Sequence, residues 1–279
     1  MPELPEVETV VRTLRPHLVG QTISHVRLLR TDILRTPSTD LPHVLTGRTV
    51  TSIDRRAKRI LIHLDCPAIL CIHLGMTGQL TLENPATPLR PHTHMILSLR
   101  HPQQNGATQN RTIPELRFRD PRRFGGIWWL ANGELANAHL GPEPLTITSA
   151  QLALRLAKTR RPIKATLLDQ SLIAGLGNIY VDESLFAARI HPLTPAHELT
   201  TDQIRALTQS IKLILRRAIR HRGSSISDYI DGNGQSGRFQ DLHQVYNREG
   251  LPCPTCHSPI RRIVLAGRST HFCPHCQPR

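Results

Sequence analysis

Residues 253–276 read CPTCHSPIRRIVLAGRSTHFCPHC, two Cys-x-x-Cys pairs (Cys253 with Cys256, Cys273 with Cys276) held sixteen residues apart. Thiolates at that spacing close a tetrahedral shell on one zinc ion, and the text between the pairs predicts a β-hairpin. Four thiolates leave no coordination position open to a substrate. One structural Zn2+ per chain is therefore expected, holding a fold together and not catalysing. The hairpin carries Arg261, Arg262 and Arg268, side chains suited to phosphate as well as to plain solvation. Residues 246–279 thus read as a four-cysteine zinc finger. The two remaining cysteines, Cys66 and Cys71, sit in apolar strand-like text and read as buried core residues.

Upstream of the finger, RGSSISDYIDGNGQSGRF (222–239) is rich in Gly, Ser and Asp and reads as a flexible loop over 222–237. Before it the apolar spacing predicts helices over 150–159, 163–170, 178–189 and 201–221, the last with Ile204, Leu207, Ile211, Ile214, Leu215 and Ile219 on one face. Residues 150–245 are a helical domain on this reading. Gly175-Leu-Gly-Asn178 opens the third helix, where backbone N–H groups and the helix dipole favour an anion; glycine also simply ends a preceding helix. The stretch AHLGPEPLTITS (138–149) has the punctuation of a linker.

Residues 1–137 differ in texture. Val7, Val10, Val11, Leu14 and Leu18 recur at helical spacing after Pro5, and Gly20 is a stop signal. From Thr22 to Leu130 short β-rich runs follow one another, punctuated by Gly, Pro and Asn, at the spacing of antiparallel strands in a sandwich. The polar insert 101–115 reads as a long hairpin loop. Two turn-like motifs, His73-Leu-Gly-Met-Thr-Gly78 and Asp120-Pro-Arg-Arg-Phe-Gly125, set Met76, Arg122 and Phe124 beside glycines. Such side chains serve either as core or as wedges entering a base stack.

Lys plus Arg number 35 against 21 Asp plus Glu, a formal charge of +14, and only four of the 35 are lysines. An excess of that size, carried by the planar two-pronged guanidinium, points to a polyanion and to nucleic acid in particular. Length suggests two compact domains. No run approaches the roughly 18 apolar residues of a membrane span. The start lacks a signal peptide, so a soluble cytoplasmic protein with no membrane partner is expected.

PELPEVET at the start, RRAKR around Lys58, HLGMTG, DPRRFG, HLGPEPL, GLGNIYVDESLFAARIHP and GRSTHFCPHCQ together resemble the formamidopyrimidine-DNA glycosylase family of bacteria, across essentially the whole chain. The resemblance implies an α+β multidomain protein: an N-terminal helix plus antiparallel β-sandwich, then a helix-two-turn-helix domain and a C-terminal β-hairpin zinc finger. It implies a bifunctional glycosylase and lyase, acting as a monomer on double-stranded DNA that carries an oxidised purine, preferably opposite cytosine. Pro2, after loss of Met1, corresponds to the nucleophile and Glu3 to the acid that protonates the opening sugar. Lys58 corresponds to the proton donor in β-elimination, and Arg268 to the group acting in δ-elimination and gripping phosphate. His73, His92 and Asn178, with Lys58, correspond to backbone contacts around an extruded nucleotide, and Met76, Arg122 and Phe124 to the void-filling triad. The family's lysine contact near the helical core falls at Thr159 and Arg160, with Arg160 as its substitute. Where the lesion-covering loop usually opens on paired glycines, this chain has Arg222-Gly223-Ser224-Ser225. Two other readings stand beside this one: the sister endonuclease that removes oxidised pyrimidines, and a non-catalytic zinc DNA-binding protein.

Overall fold

In the computed structural model the described residues are 1–36, 39–101, 114–131, 139–226 and 228–279. Most of the insert at 101–115 therefore lies outside them. The chain divides into two units, Met1–Ala138 with Arg222–Gly237, and His139–His221 with Arg238–Arg279.

The first unit opens with helix α1 (Leu4–Leu18), where Pro5 sits in the first turn, whose N–H groups have no intrahelical partner in any case. Its apolar stripe, Val7, Val10, Val11, Leu14 and Leu18, is buried. After Gly20, whose φ of +82° ends the helical path, come β1 (Thr22–Leu28), a short helix α2 (Leu41–Leu45), β2 (Val50–Arg56), β3 (Arg59–Leu64) and β4 (Cys66–His73). Strands β5 (Gln79–Glu83), β6 (Thr93–Arg100), β7 (Glu115–Arg119) and β8 (Gly126–Leu130) follow. They pair antiparallel in two four-stranded sheets, ordered β1-β6-β7-β5 and β2-β3-β4-β8. Residues of both sheets and the α1 stripe share one core, which includes Ile23, Val26, Ile53, Ile60, Leu70, Met95 and Phe118. Cys71 is buried as expected, whereas Cys66, at the start of β4, is half-buried at the edge of that core.

The segment 222–237 follows the helical domain in the chain, yet it belongs to the first unit. Hydrogen bonds hold it there. Ser224 N–H donates to Glu6 Oε1, the Tyr229 hydroxyl to the Glu6 carbonyl, and Gly232 N–H to Thr13 Oγ1. Gly232 also accepts from Leu82 N–H.

The second unit holds α3 (Ser149–Leu156), α4 (Ile163–Leu167), α5 (Asn178–Ala187) and α6 (Thr201–Arg220), each ending a few residues or less before the sequence pattern predicts. Capping boxes at Thr148 with Gln151 and Thr200 with Gln203 fix the starts of α3 and α6. Helix α5 is buried from Ile179 to Phe186 on every side, including Asp182 and Glu183. Glu183 accepts from three successive N–H groups, those of Gln244, Val245 and Tyr246, and so anchors the chain leading into the finger. The finger is the hairpin β9 (Arg261–Leu265) and β10 (Arg268–Phe272), closed by Ala266 and Gly267, both at positive φ. No helix among the described residues is long and apolar enough to cross a membrane.

Candidate nucleic-acid interface and active site

Register brings three turns to one end of the sheet β2-β3-β4-β8. Arg56 pairs with Arg59, which leaves Ala57 and Lys58 as a two-residue turn, and Arg59 pairs with His73, which in turn pairs with Gly126. Lys58, the turn after His73 and the turn before Gly126 are therefore neighbours. Ala57 takes φ +54°, and Arg55 Nη1 donates to its carbonyl at 3.0 Å. Lys58 itself is only 7% exposed.

The other two turns are locked together by Asp120, which is fully buried. Its Oδ1 accepts from the Thr77 hydroxyl at 2.6 Å and its Oδ2 from Gly125 N–H at 2.8 Å. Arg122 N–H donates to Thr77 Oγ1 at 3.2 Å. The turns approach so closely that a Cβ on Gly75, at φ +63°, would lie 2.3 Å from Gly125 N. Only glycine fits there. From outside, Arg35 donates to the carbonyls of Arg123 and Gly125, and Asp32 pairs with Arg123. On this braced platform Met76 is 39% and Phe124 54% exposed, and the Arg122 guanidinium lies 4.7 Å over the Phe124 ring. Of the two readings of these side chains, core or wedge, their exposure is not that of core residues.

His73 Nδ1 accepts from Gly75 N–H at 3.2 Å. Burial, then the nearby positive charges of Lys58 and Arg59, push its pKa down to about 4. The ring is neutral at pH 7, leaving Nε2–H as a donor. His92, exposed and at φ +66°, is held beside the same platform by Asp120 N–H, which donates to its carbonyl at 3.0 Å.

Pro2 and Glu3 are buried at the head of α1. Glu3 is the N-cap and forms a capping box with Glu6, whose Oε2 accepts from Glu3 N–H at 2.8 Å. Farther along the helix, Glu8 bridges Arg12 and Arg55 at 2.7 and 2.9 Å. Burial pushes its carboxyl up, but hydrogen bonds from both arginines outweigh this and hold it below the usual range. The Glu8–Arg55 pair ties the helix that carries Pro2 and Glu3 to the hairpin that carries Lys58.

On the second unit, Gly175 at φ +91° and Gly177 at the N-cap deliver Asn178 to the first position of α5. Asn178 Nδ2 donates to the Ser269 carbonyl at 2.9 Å, which sets Asn178 beside exposed Arg268. Arg160 is exposed in the connection between α3 and α4. The sulfurs of Cys253, Cys256, Cys273 and Cys276 all lie within 4.8 Å of one another, with 3.8 Å from Cys253 to Cys276 and 3.4 Å from Cys256 to Cys273. A tetrahedral zinc–thiolate centre with bonds of about 2.3 Å has sulfurs about 3.8 Å apart, so the shell fits one structural zinc.

Sequence reading missed Asp120, Thr77, Asp32, Arg35, Glu6 and the pair Lys164–Asp182. Of these, Glu6, Thr77, Asp120 and Asp182 lie inside the motifs PELPEVET, HLGMTG, DPRRFG and GLGNIYVDESLFAARIHP, whereas Asp32, Arg35 and Lys164 left no local trace.

A helix-and-sandwich unit, a helical unit and a four-cysteine finger are together the plan of a DNA-repair glycosylase. Residues 1–127 match the formamidopyrimidine-DNA glycosylase N-terminal domain, 140–229 the H2TH domain of the same enzyme, and 250–279 the zinc finger found in FPG and IleRS. The chain is 48% identical to the formamidopyrimidine-DNA glycosylase of Chloroflexus aurantiacus, over 99% of this chain and 98% of the relative. It is 46% identical to that of Gluconobacter oxydans, over 99% and 100%. It superimposes on Lactococcus lactis FPG in complex with abasic-site DNA at TM-score 0.89 and 35% identity, covering 99% and 100% of the two chains. For the MutM (FPG) protein of Thermus thermophilus the TM-score is 0.84 at 42% identity, covering 99% and 98%. The chain belongs to the formamidopyrimidine-DNA glycosylase family.

Proposed function

We propose that this chain excises oxidised purines, 8-oxoguanine and formamidopyrimidines, from double-stranded DNA and then cleaves the strand by β,δ-elimination. The observation that carries the reading is the meeting of the Lys58 turn with the two turns that Asp120 locks together, on which Met76, Arg122 and Phe124 are exposed side by side. An exposed apolar pair on a braced platform suits insertion into a base stack, where it fills the space of an extruded nucleotide. Arg122 donates to the acceptor edge of the orphaned base, and cytosine offers such an edge. The formal charge of +14 supplies the attraction to phosphate.

With Met1 removed, Pro2 presents a secondary amine that attacks C1′ while the bond to the damaged base breaks, the base departing with a proton in balance with the one the amine nitrogen sheds. Glu3 gives a proton to the ring oxygen as the sugar opens, leaving a cationic iminium. That nitrogen carries no proton to lose, so it draws electrons from the sugar and acidifies C2′–H. Loss of that proton expels the 3′ phosphate oxygen, with Lys58 as proton donor, and a second elimination expels the 5′ one, with Arg268 in the corresponding role. His73, His92, Asn178 and Arg160 bind the flanking backbone. His73 does so as a neutral donor.

The test is cleavage of duplexes that carry either 8-oxoguanine or an oxidised pyrimidine. Strand scission chiefly at 8-oxoguanine opposite cytosine is expected. Preference for the pyrimidine would make the chain a sister endonuclease, and tight binding without scission a non-catalytic clamp.

A further inference from the structure

Helices α4 and α5 share a fully buried ion pair, Lys164 Nζ to Asp182 Oδ1 at 2.7 Å, both residues being 0–1% exposed. Removing two charges from water costs several kcal/mol per ion, so such a pair is weak evidence for stability. Its geometry is specific, however. Lys164 Nζ also donates to the Ser269 carbonyl at 2.7 Å, alongside Asn178 Nδ2 at 2.9 Å. Asp182 Oδ2 accepts from His271 N–H at 2.8 Å, with His271 Nδ1 at 3.4 Å.

These are the groups that the hairpin leaves unpaired. In an antiparallel pair closed by a two-residue turn, Arg268 and Leu265 exchange hydrogen bonds, as do Thr270 and Ile263, two residues on. Ser269 and His271 then direct their main-chain groups to the outer edge of β10. Lys164, Asn178 and Asp182 occupy that edge as a partner strand would. Ser269 is the residue next to Arg268, and its hydroxyl is also held, by Arg262.

We propose that Lys164 and Asp182 are positioning residues that set the main chain of β10 and thereby aim Arg268 at the DNA backbone. The inference rests on the reading of Arg268 as a phosphate contact. Lys164 is 0% exposed and cannot itself reach a phosphate. Any change in salt dependence on replacing it must pass through another residue.

The experiment measures binding of the full-length, zinc-loaded protein to a duplex with a tetrahydrofuran abasic site over a range of salt concentrations. Arg268→Ala is expected to lower the slope of log K against log salt by about 0.9, the loss of one phosphate contact. Lys164→Met with Asp182→Asn, which leaves no buried charge, is expected to lower it comparably at parental zinc content and Tm. Adding Arg268→Ala to that variant should cost nothing further. If the double variant loses zinc, Asp182→Asn alone carries the same comparison. A parental slope in the charge-free variant, or full additivity with Arg268→Ala, overturns the inference while leaving the phosphate contact standing. A parental slope for Arg268→Ala itself removes the phosphate reading, and the inference with it.

Discussion

Ser224 N–H donates to Glu6 Oε1 at 2.7 Å, joining residues 218 positions apart in the chain. The other oxygen of the same carboxylate accepts from Glu3 N–H at 2.8 Å. One buried side chain thus fixes both the N-cap of α1, beside Pro2, and the start of the segment 222–237. Gly223 permits the contact, since a Cβ there would lie 2.5 Å from Glu6 Oε1.

Glu6→Gln keeps the shape but turns one acceptor into a donor facing an N–H. It is expected to destabilise the first unit by about 1–3 kcal/mol, the cost of one buried unsatisfied group. Amide exchange at Ser224 or Glu3 should accelerate. Unchanged exchange at both amides would show that the bridge is dispensable.

Asp120→Asn removes one acceptor from a site where Thr77 O–H and Gly125 N–H converge on two carboxylate oxygens. The expected loss is again about 1–3 kcal/mol, with a larger effect on lesion cleavage than on binding of undamaged DNA. Comparing thermal unfolding with both DNA measurements checks this. An equal loss in cleavage and in nonspecific binding would mean that Asp120 does not shape the wedge.

His73 and His243 both have pKa values depressed to about 4, in each case first of all by burial. The unfolded chain, with histidine near 6.5, binds protons that the folded one refuses. Stability from these groups is therefore complete above pH 6.5 and lost as pH falls from 6.5 toward 4. The slope is about 1.4 kcal/mol per pH unit for each group. Denaturant unfolding between pH 7 and 4 should show this decline, and His243→Asn should flatten it for the second unit. A flat profile in the parent protein would contradict the burial of both rings.

Zinc removal tests the finger. Freshly purified protein should hold one zinc per chain, and Cys256→Ser should lower that content and weaken DNA binding, because the hairpin carrying Arg268 loses its anchor. Full DNA affinity in a zinc-free chain would separate the finger from binding altogether.

Much of the fold was legible in the sequence, for reasons that differ by element. Two Cys-x-x-Cys pairs, eight short apolar runs and the stripe of α6 each depend on residues close in the chain, so local spacing reveals them. The short helix α2 carries only Leu41 and Leu45 as buried apolar residues, too few to show a period. Cys66 lies at a strand end, where alternation no longer fixes burial. The segment 222–237 reads as a loop because its Gly, Ser and Asp have no periodic pattern; what holds it are hydrogen bonds to Glu6, Thr13 and Leu82, residues far earlier in the chain. Nothing local marks Lys164 and Asp182 as a pair, since spacing does not distinguish a buried charge from a solvated one.

The proposed chemistry turns on the amine of Pro2 as the group that forms the covalent link to DNA. Borohydride reduction during turnover on an 8-oxoguanine duplex should trap a protein–DNA adduct, and peptide mapping should place it at residue 2. A chain with Met1 retained presents an amide nitrogen there and should not trap. If the adduct maps to Lys58 instead, or if the blocked chain traps at the normal rate while Lys58→Ala does not, the nucleophile is Lys58 and the proposed mechanism is wrong at its centre.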